Sequence, residues 1–122
     1  DVDDESAGRK PQPPEMRLKA LGALLVLAGG PPNREAIWGD GRVASMLIRT
    51  AGAANRVRRI RAAALAVMVE LSKCWDNSEP MSAVGADALL AEAAGDESFS
   101  VEERRDCGFG HARLLQGVNW TR

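Results

Sequence analysis

The stretch VRRIRAAALAVMVELS, residues 57–72, recurs in this chain at a spacing of 44 residues. Moved back by 44 positions it aligns with residues 13–28, and moved forward by 44 it aligns with residues 101–116. Its apolar side chains have helical spacing, which predicts a helix over residues 56–73 with one face formed by Ile60, Ala64, Leu65, Met68, Leu71 and Ser72. Three related helices predict a stack of helical repeats.

Composition limits the classes of protein that this chain can belong to. Its 122 residues suffice for one domain with a modest core. The 16 basic and 17 acidic residues give a net charge of −1, which argues neither for nor against nucleic acid. Cys74 and Cys107 form no CxxC motif and are too few for a disulfide framework, which indicates reduced thiols in an intracellular protein.

Residues 16–30 have the basic start and apolar run of a secretory signal peptide. Fifteen residues precede this run, and a similar pattern recurs at residues 64–71, where a signal peptide could not act. No apolar run approaches the roughly 20 residues that cross a membrane. We therefore expect a cytoplasmic protein, with the nucleus as the alternative.

The rest of the chain divides into a linker, a helical domain and a tail. Residues 1–14 are acidic and Pro-rich and predict a disordered linker, and residues 118–122 are a tail or the start of a further repeat. The repeat domain of residues 15–117 is expected to be all-α, with Asn33 capping its second helix and Gly41 and Gly85 breaking the chain. The long helices are expected at 15–28, 56–73 and 101–117. The short ones are a helix that Asn33 caps and that ends at 38, a helix with Val43, Met46 and Leu47 on one face that ends near 50, a helix that Asp76, Asn77 or Ser78 caps and that ends at 84, and a helix over 86–94.

The order of these elements repeats in phase. Residues 20–57 and 64–101 share eight identities in 38 positions, among them Asn33 with Asn77 and Gly41 with Gly85. Each half has a long helix, a break, an Asn, a short helix, a Gly and a second short helix.

This pattern resembles the armadillo repeat family, whose unit has two short helices and a long third helix that ends in an A-L-x-N-L-A-like run. The corresponding runs here are ALLVLA at 23–28, VMVELS at 67–72 and HARLLQ at 111–116. The resemblance covers residues 13–117 and implies an armadillo-like right-handed superhelix of about two full three-helix repeats plus one preceding helix. HEAT repeats are the close competitor, and the spacing of Asn and Gly favours armadillo.

In the armadillo family the third helices line a concave groove that holds a partner segment. The family's groove Asn aligns with Val26, Glu70 and Leu114, and the Trp of its nuclear-import members aligns with Gly22, Ala66 and Gly110. Both hallmarks are absent, so the resemblance does not extend to nuclear-import receptors. The predicted partner-binding residues are Glu15, Arg58, Arg59, Ala63, Ala66, Glu70 and Glu103.

The charged members of this set allow two interpretations. Glu15, Arg59 and Glu103 would form one column on stacked helices, and Arg58 and Glu102 would form a second pair of opposite charges. The column is either a rim for a partner or a set of ion pairs that align neighbouring repeats. Exposed pairs of this kind contribute little stability.

Residues capable of chemistry are few. Cys107 and His111 have the spacing of two ligands on one helix face, but no further ligands accompany them, so we expect no metal, no cofactor and no enzyme activity. One basic cluster comprises Arg56, Arg58, Arg59 and Arg61. Because no aromatic residues are interleaved with these arginines, the cluster argues against nucleic acid as a ligand. Another anionic polymer remains an alternative ligand.

The predicted function is therefore a non-catalytic protein–protein interaction module or scaffold for a protein or peptide partner, within a longer repeat array or alone. The main alternative is an accessory, partner-recruiting domain of a larger ubiquitin ligase or myosin-chaperone-like protein. An enzyme built on Cys107 and His111 is the weakest of the alternatives.

Overall fold

The computed structural model describes residues 13–52, 55 and 57–121. All regular secondary structure in these residues is helical, and none of them lies in a strand. A 3-10 turn, Trp75–Asn77, precedes the fifth of seven α-helices. The helices are α1 (Pro14–Ala28), α2 (Pro31–Gly39), α3 (Gly41–Ala51), α4 (Arg58–Leu71), α5 (Ser78–Ala83), α6 (Ala86–Ala94) and α7 (Val101–Thr121).

Helix α4 is the centre of the packing. It contacts α1, α3 and α7, while α5 and α6 pack against α7. One hydrophobic core runs through these contacts, and its largest fully buried apolar side chains are Leu47, Ile60, Met68, Leu71, Met81, Leu90 and Leu114. No described helix is both long and apolar enough to cross a membrane.

Helix starts confirm the element order but correct its details. Pro31 and Pro32 open α2, since proline is well suited to the first turn of a helix. The predicted cap by Asn33 is therefore wrong, because the N-cap of α2 is Gly30. Asp40 caps α3 instead by accepting hydrogen bonds from the backbone N–H groups of Arg42 and Val43 at 3.0 and 3.4 Å.

Glycine has a specific backbone role at the start of α6. Gly85 has φ of 89°, a left-handed conformation that favours glycine over other residues. The predicted chain break at this position is thus confirmed.

Three predicted boundaries also need correction. Pro14, which was assigned to the linker, is the first residue of α1, and residues 1–12 lie outside the described residues. Helix α4 spans 58–71 rather than 56–73, and residue 56 is outside the described part. Gly117 does not end α7, which continues to Thr121.

The helix bounds repeat along the chain. Helices α1 and α4 begin 44 residues apart, and α2 at 31–39 corresponds to the 3-10 turn plus α5 at 75–83. Helix α7 begins 43 residues after α4, one residue fewer than the fixed spacing predicts.

A side-chain hydrogen bond recurs at the same spacing. The Asn33 Nδ2 donates to the carbonyl of Leu27 at 3.0 Å, and Asn77 Nδ2 donates to the carbonyl of Leu71 at 3.0 Å. Asn77 is 1% exposed and also donates to the carbonyl of Arg34 at 3.1 Å, which connects α2 to the end of α4. Asn77 occupies the N-cap position of α5, as one of the sequence alternatives predicted, but its side chain makes no capping hydrogen bond to that helix.

We expect Asn77→Ala to lower the free energy of unfolding by about 1–3 kcal/mol, because it removes both hydrogen bonds that the buried amide donates. The matched substitution Asn33→Ala should cost less, since Asn33 is exposed and water can replace its amide. Urea unfolding followed by circular dichroism measures both values. Equal losses for the two variants would contradict the bridging role of Asn77.

Two glycines of α7 permit a similar comparison. A Cβ on Gly117 would overlap the side chain of Ser78, whereas a Cβ on Gly108 would meet only Ala94 Cβ, at 3.9 Å. Gly117→Ala should therefore destabilise by about 1–3 kcal/mol. Gly108→Ala should be neutral or should stabilise by up to about 1 kcal/mol through helix propensity. Thermal unfolding of both variants tests this prediction, which fails if Gly117→Ala is tolerated as well as Gly108→Ala.

Candidate functional site

A pocket of about 210 Å³ opens between the three long helices α1, α4 and α7. Its lining is mostly apolar and includes Ala62, Leu65, Ala66 and Val69 of α4 and Leu25 of α1. On the α7 side it is completed by Phe99, Glu103, Asp106 and Cys107, and Glu70 lies at its α4 end.

The size of the pocket limits what it can hold. Ala62 and Ala66 are one turn apart on α4, and their small side chains leave the open space between the neighbouring helices. Sites for drug-sized ligands and cofactors enclose roughly 300–1,000 Å³. The pocket lies below that range, so its dimensions suit one apolar side chain of a partner better than a complete cofactor.

Three carboxylates surround the apolar lining, and two of them are already paired. Glu70 contacts Lys73 Nζ at 2.9 Å and Arg34 Nη2 at 3.5 Å. Glu103 contacts Arg58 Nη1 at 3.3 Å and accepts a hydrogen bond from the Ser100 backbone N–H at 2.9 Å.

The third carboxylate, Asp106, is the most available to a ligand. Its side chain is 58% exposed, and its one ion pair among the described residues is with the adjacent Arg105 at 3.9 Å. A cationic group that approaches the pocket would therefore meet Asp106 with little competition.

The predicted site residues fall into two groups. Ala66, Glu70 and Glu103 line the pocket together. Ala63 lies on α4 and is half-buried, while Arg59, Arg58 and Glu15 are exposed in the first turns of their helices and do not line the pocket. Their role in binding a partner stays a prediction.

The structure pairs Arg58 with Glu103 across α4 and α7, rather than with Glu102. Both side chains are substantially exposed, at 47% and 39%, so this contact aligns the two helices with little gain in stability. It supports the interpretation of these two charges as a link between helices.

The exposed face of α7 differs from the one expected at a spacing of 44. Ala64, Val67 and Leu71 of α4 are buried, and 43 residues later Cys107, Gly110 and Leu114 are buried too. Gly110 faces the interior, since its Cβ would lie 3.4 Å from Val69 Cγ2 and 3.2 Å from Leu90 Cδ1. The predicted groove positions Gly110 and Leu114 are therefore wrong.

At the observed spacing the corresponding positions of α7 are Phe109 and Arg113. Phe109 is 55% exposed, and Arg113 is half-buried and donates to Ser72 Oγ at 3.3 Å. At the observed spacing Phe109 therefore aligns with Gly22 and Ala66, and Arg113 aligns with Val26 and Glu70.

The chemistry of Cys107 does not favour a reactive thiol. Burial, and after it the charges of Asp106 and Glu103, raise the pKa of the Cys107 thiol from 9.0 to about 11. The group is therefore protonated at neutral pH, whereas nucleophiles and metal ligands are thiolates. His111, one turn away, is half-buried. Within the described residues no group of three or more His, Cys, Asp or Glu side chains could hold a metal ion.

Several pocket residues were missed at the sequence level. Ala62 could have been found, because it lies one turn before Ala66 on the same helix. Leu25, Leu65 and Val69 were assigned to the core or left unassigned. On the α7 side of the pocket only Glu103 was predicted, and the sequence held no signal for Phe99, Asp106 and Cys107.

Comparisons with protein-family models, with curated proteins and with solved structures gave no match to this chain.

The raised pKa of Cys107 predicts its reactivity. At pH 7.4 we expect iodoacetamide to modify Cys107 at least about tenfold more slowly than the partly exposed Cys74, because the Cys107 thiol is buried and protonated. Peptide mapping by mass spectrometry gives both rates.

A group whose folded-state pKa is raised stabilises the fold below its unfolded pKa and loses that effect as pH rises through the folded pKa. The contribution of Cys107 to the free energy of unfolding should therefore decline between about pH 9 and 11. Cys107→Ala is the control that removes this contribution while the lysines still titrate. Equal alkylation rates, or the same pH profile in Cys107→Ala, would contradict the assignment.

Proposed function

We propose that this chain is a non-catalytic, armadillo-type interaction module that binds an extended segment of a partner protein on the face formed by α1, α4 and α7. The single observation that carries this proposal is the apolar, alanine-floored pocket between the three long helices. The partner would place one apolar side chain in the pocket and a Lys or Arg against Asp106.

The repeat interpretation is supported by contacts that recur with the sequence. The matching bonds of Asn33 and Asn77, the matching bounds of α2 and of residues 75–83, and the packing of α4 against both α1 and α7 are the relationships expected of neighbouring units. Stacking such units buries apolar faces that one unit cannot cover alone. A right-handed superhelix is the arrangement we infer for them.

The composition of the pocket supports a peptide ligand over a small molecule. An apolar anchor in a small, preformed pocket is a common source of affinity at protein interfaces. Carboxylates at the edge of such a pocket select for basic neighbours and accelerate association. On the same face, Phe109 is a rigid aromatic surface against which a peptide can pack.

The test is selection of binders from a random peptide library followed by affinity measurement on variants. Ala66→Leu should fill the pocket and weaken the selected peptides by about tenfold or more, which corresponds to about 1.4 kcal/mol. The matched control is Ala88→Leu, the same change at an exposed position of α6, which should leave affinity unchanged.

A second substitution tests whether the negative charge of Asp106 contributes to peptide binding. Asp106→Asn should weaken peptides that carry Lys or Arg beside the apolar residue, and the difference from wild type should shrink at high salt. Circular dichroism checks that each variant is folded. If selected peptides bind Ala66→Leu as well as they bind wild type, the pocket is not the binding site.

A further inference from the structure

The outward side of α1 carries an apolar stripe that no described element covers. Met16, Ala20, Ala23 and Leu27 follow the spacing i, i+4, i+7 and i+11, which places them on one side of the helix. All four are exposed, Met16 at 55% and Leu27 at 52%. The other side of α1 is also apolar and is buried at Leu21 and Ala28, so α1 is apolar on both sides but covered on only one.

The corresponding residues of α4 are buried by neighbouring helices. The residues 44 positions later are Ile60, Ala64, Val67 and Leu71, and each is 0% exposed. They lie on the side of α4 opposite Val69, which faces Gly110 of α7. Because α1 and α3 also pack against α4, the side away from α7 is the side that these two helices can cover.

Asn33 provides a second, independent observation at the same end of the molecule. Asn77 uses its amide twice, for the carbonyl of Leu71 in its own unit and for the carbonyl of Arg34 in the preceding one. Asn33 makes only the first of these bonds within the described residues, to Leu27. Because a carboxamide has two N–H groups, Asn33 retains a donor for a carbonyl of another unit.

We propose that the α1 stripe and Asn33 form a docking face for a further helical repeat unit with the same build as α1 and α2. Such a unit presents a long helix with a Leu- and Ala-rich ridge, followed by a short helix whose first-turn carbonyl accepts from Asn33. In α1 of this chain the corresponding ridge comprises Leu18, Leu21, Leu25 and Ala28. The proposal rests on the repeat interpretation made above, but not on the pocket or its peptide.

A second copy of the chain fits this face less well. In each copy α1 already packs against α4, so its ridge is not available to a neighbour. The outer side of α7 would have to replace that ridge, and at the positions that correspond to Leu18, Leu21, Leu25 and Ala28 it has Arg105, Gly108, Ala112 and Leu115. A head-to-tail contact between copies would therefore set a charge and smaller side chains against the apolar stripe in place of three leucines, which is less favourable.

The experiment lengthens the 122-residue chain by one unit: residues 1–56 are followed directly by residues 13–122, which places a second α1–α3 segment 44 residues before the first. We expect the extended chain to melt more than about 4 °C above the 122-residue chain. Ala23→Glu in the α1 that follows the junction should remove this gain, because it places a charge in the new contact. In the 122-residue chain the same substitution is on the surface and should shift Tm by less than about 1 °C.

Asn33→Ala gives a second readout, since it should lower Tm more in the extended chain than in the 122-residue chain. If the extended chain gains no stability, or Ala23→Glu is tolerated equally in both chains, the proposal is overturned. If the 122-residue chain dimerises in sedimentation equilibrium and Ala23→Glu abolishes the dimer, the occupant is a second copy and the proposal is also overturned. The peptide-binding test with Ala66→Leu probes the pocket, which is a different surface from the α1 stripe. Failure of the peptide-binding test therefore does not imply failure of the extended-chain test, and the reverse also holds.

Discussion

The buried carboxamide of Asn77 is the interaction on which the arrangement of this protein depends. It donates to the carbonyl of Leu71 at the end of α4 and to the carbonyl of Arg34 in the first turn of α2. The Arg34 side chain in turn donates to the carbonyl of Ala28 at the end of α1, at 2.8 Å, and contacts Glu70 at 3.5 Å. The ends of two long helices and the start of a short one are thus fixed by one polar cluster beside an apolar core. Because Glu70 lies at the edge of the pocket, the same cluster also fixes part of the candidate site.

Most helices could be predicted from local sequence, because apolar spacing and backbone breakers act over a few residues. Helix α6 begins and ends where its pattern and Gly85 predicted, and the 44-residue spacing of α1 and α4 was visible directly. The cap at Asn33 was wrong for a local reason, since Pro31 starts the helix two residues earlier and leaves Asn33 inside its first turn. The amide then meets the carbonyl of Leu27, a contact that the capping rules do not describe.

The candidate site was predicted less completely, because its walls come from helices that are distant in sequence. Ala66, Glu70 and Glu103 were identified through the resemblance and do lie together. Leu25 and Phe99 enter the pocket only through packing, and periodicity within one helix cannot show such a contact. Phe99 is positioned by Arg61 of α4, whose guanidinium carbon lies 5.0 Å from the ring centroid. That contact depends on the path of the loop before α7 rather than on a motif.

The spacing of 43 rather than 44 residues between α4 and α7 has a consequence for how such proteins can diverge. A helix advances about 100° per residue, so one residue gained or lost in a connecting loop turns every side chain of the next helix to a new direction. Here the spacing of 43 residues leaves Phe109 exposed and Arg113 half-buried, and it buries Gly110 and Leu114. A single deletion between two units can therefore exchange the whole set of side chains that the next long helix exposes. An alignment that scores substitutions at fixed positions would record that event as a gap and would miss the change in the exposed face.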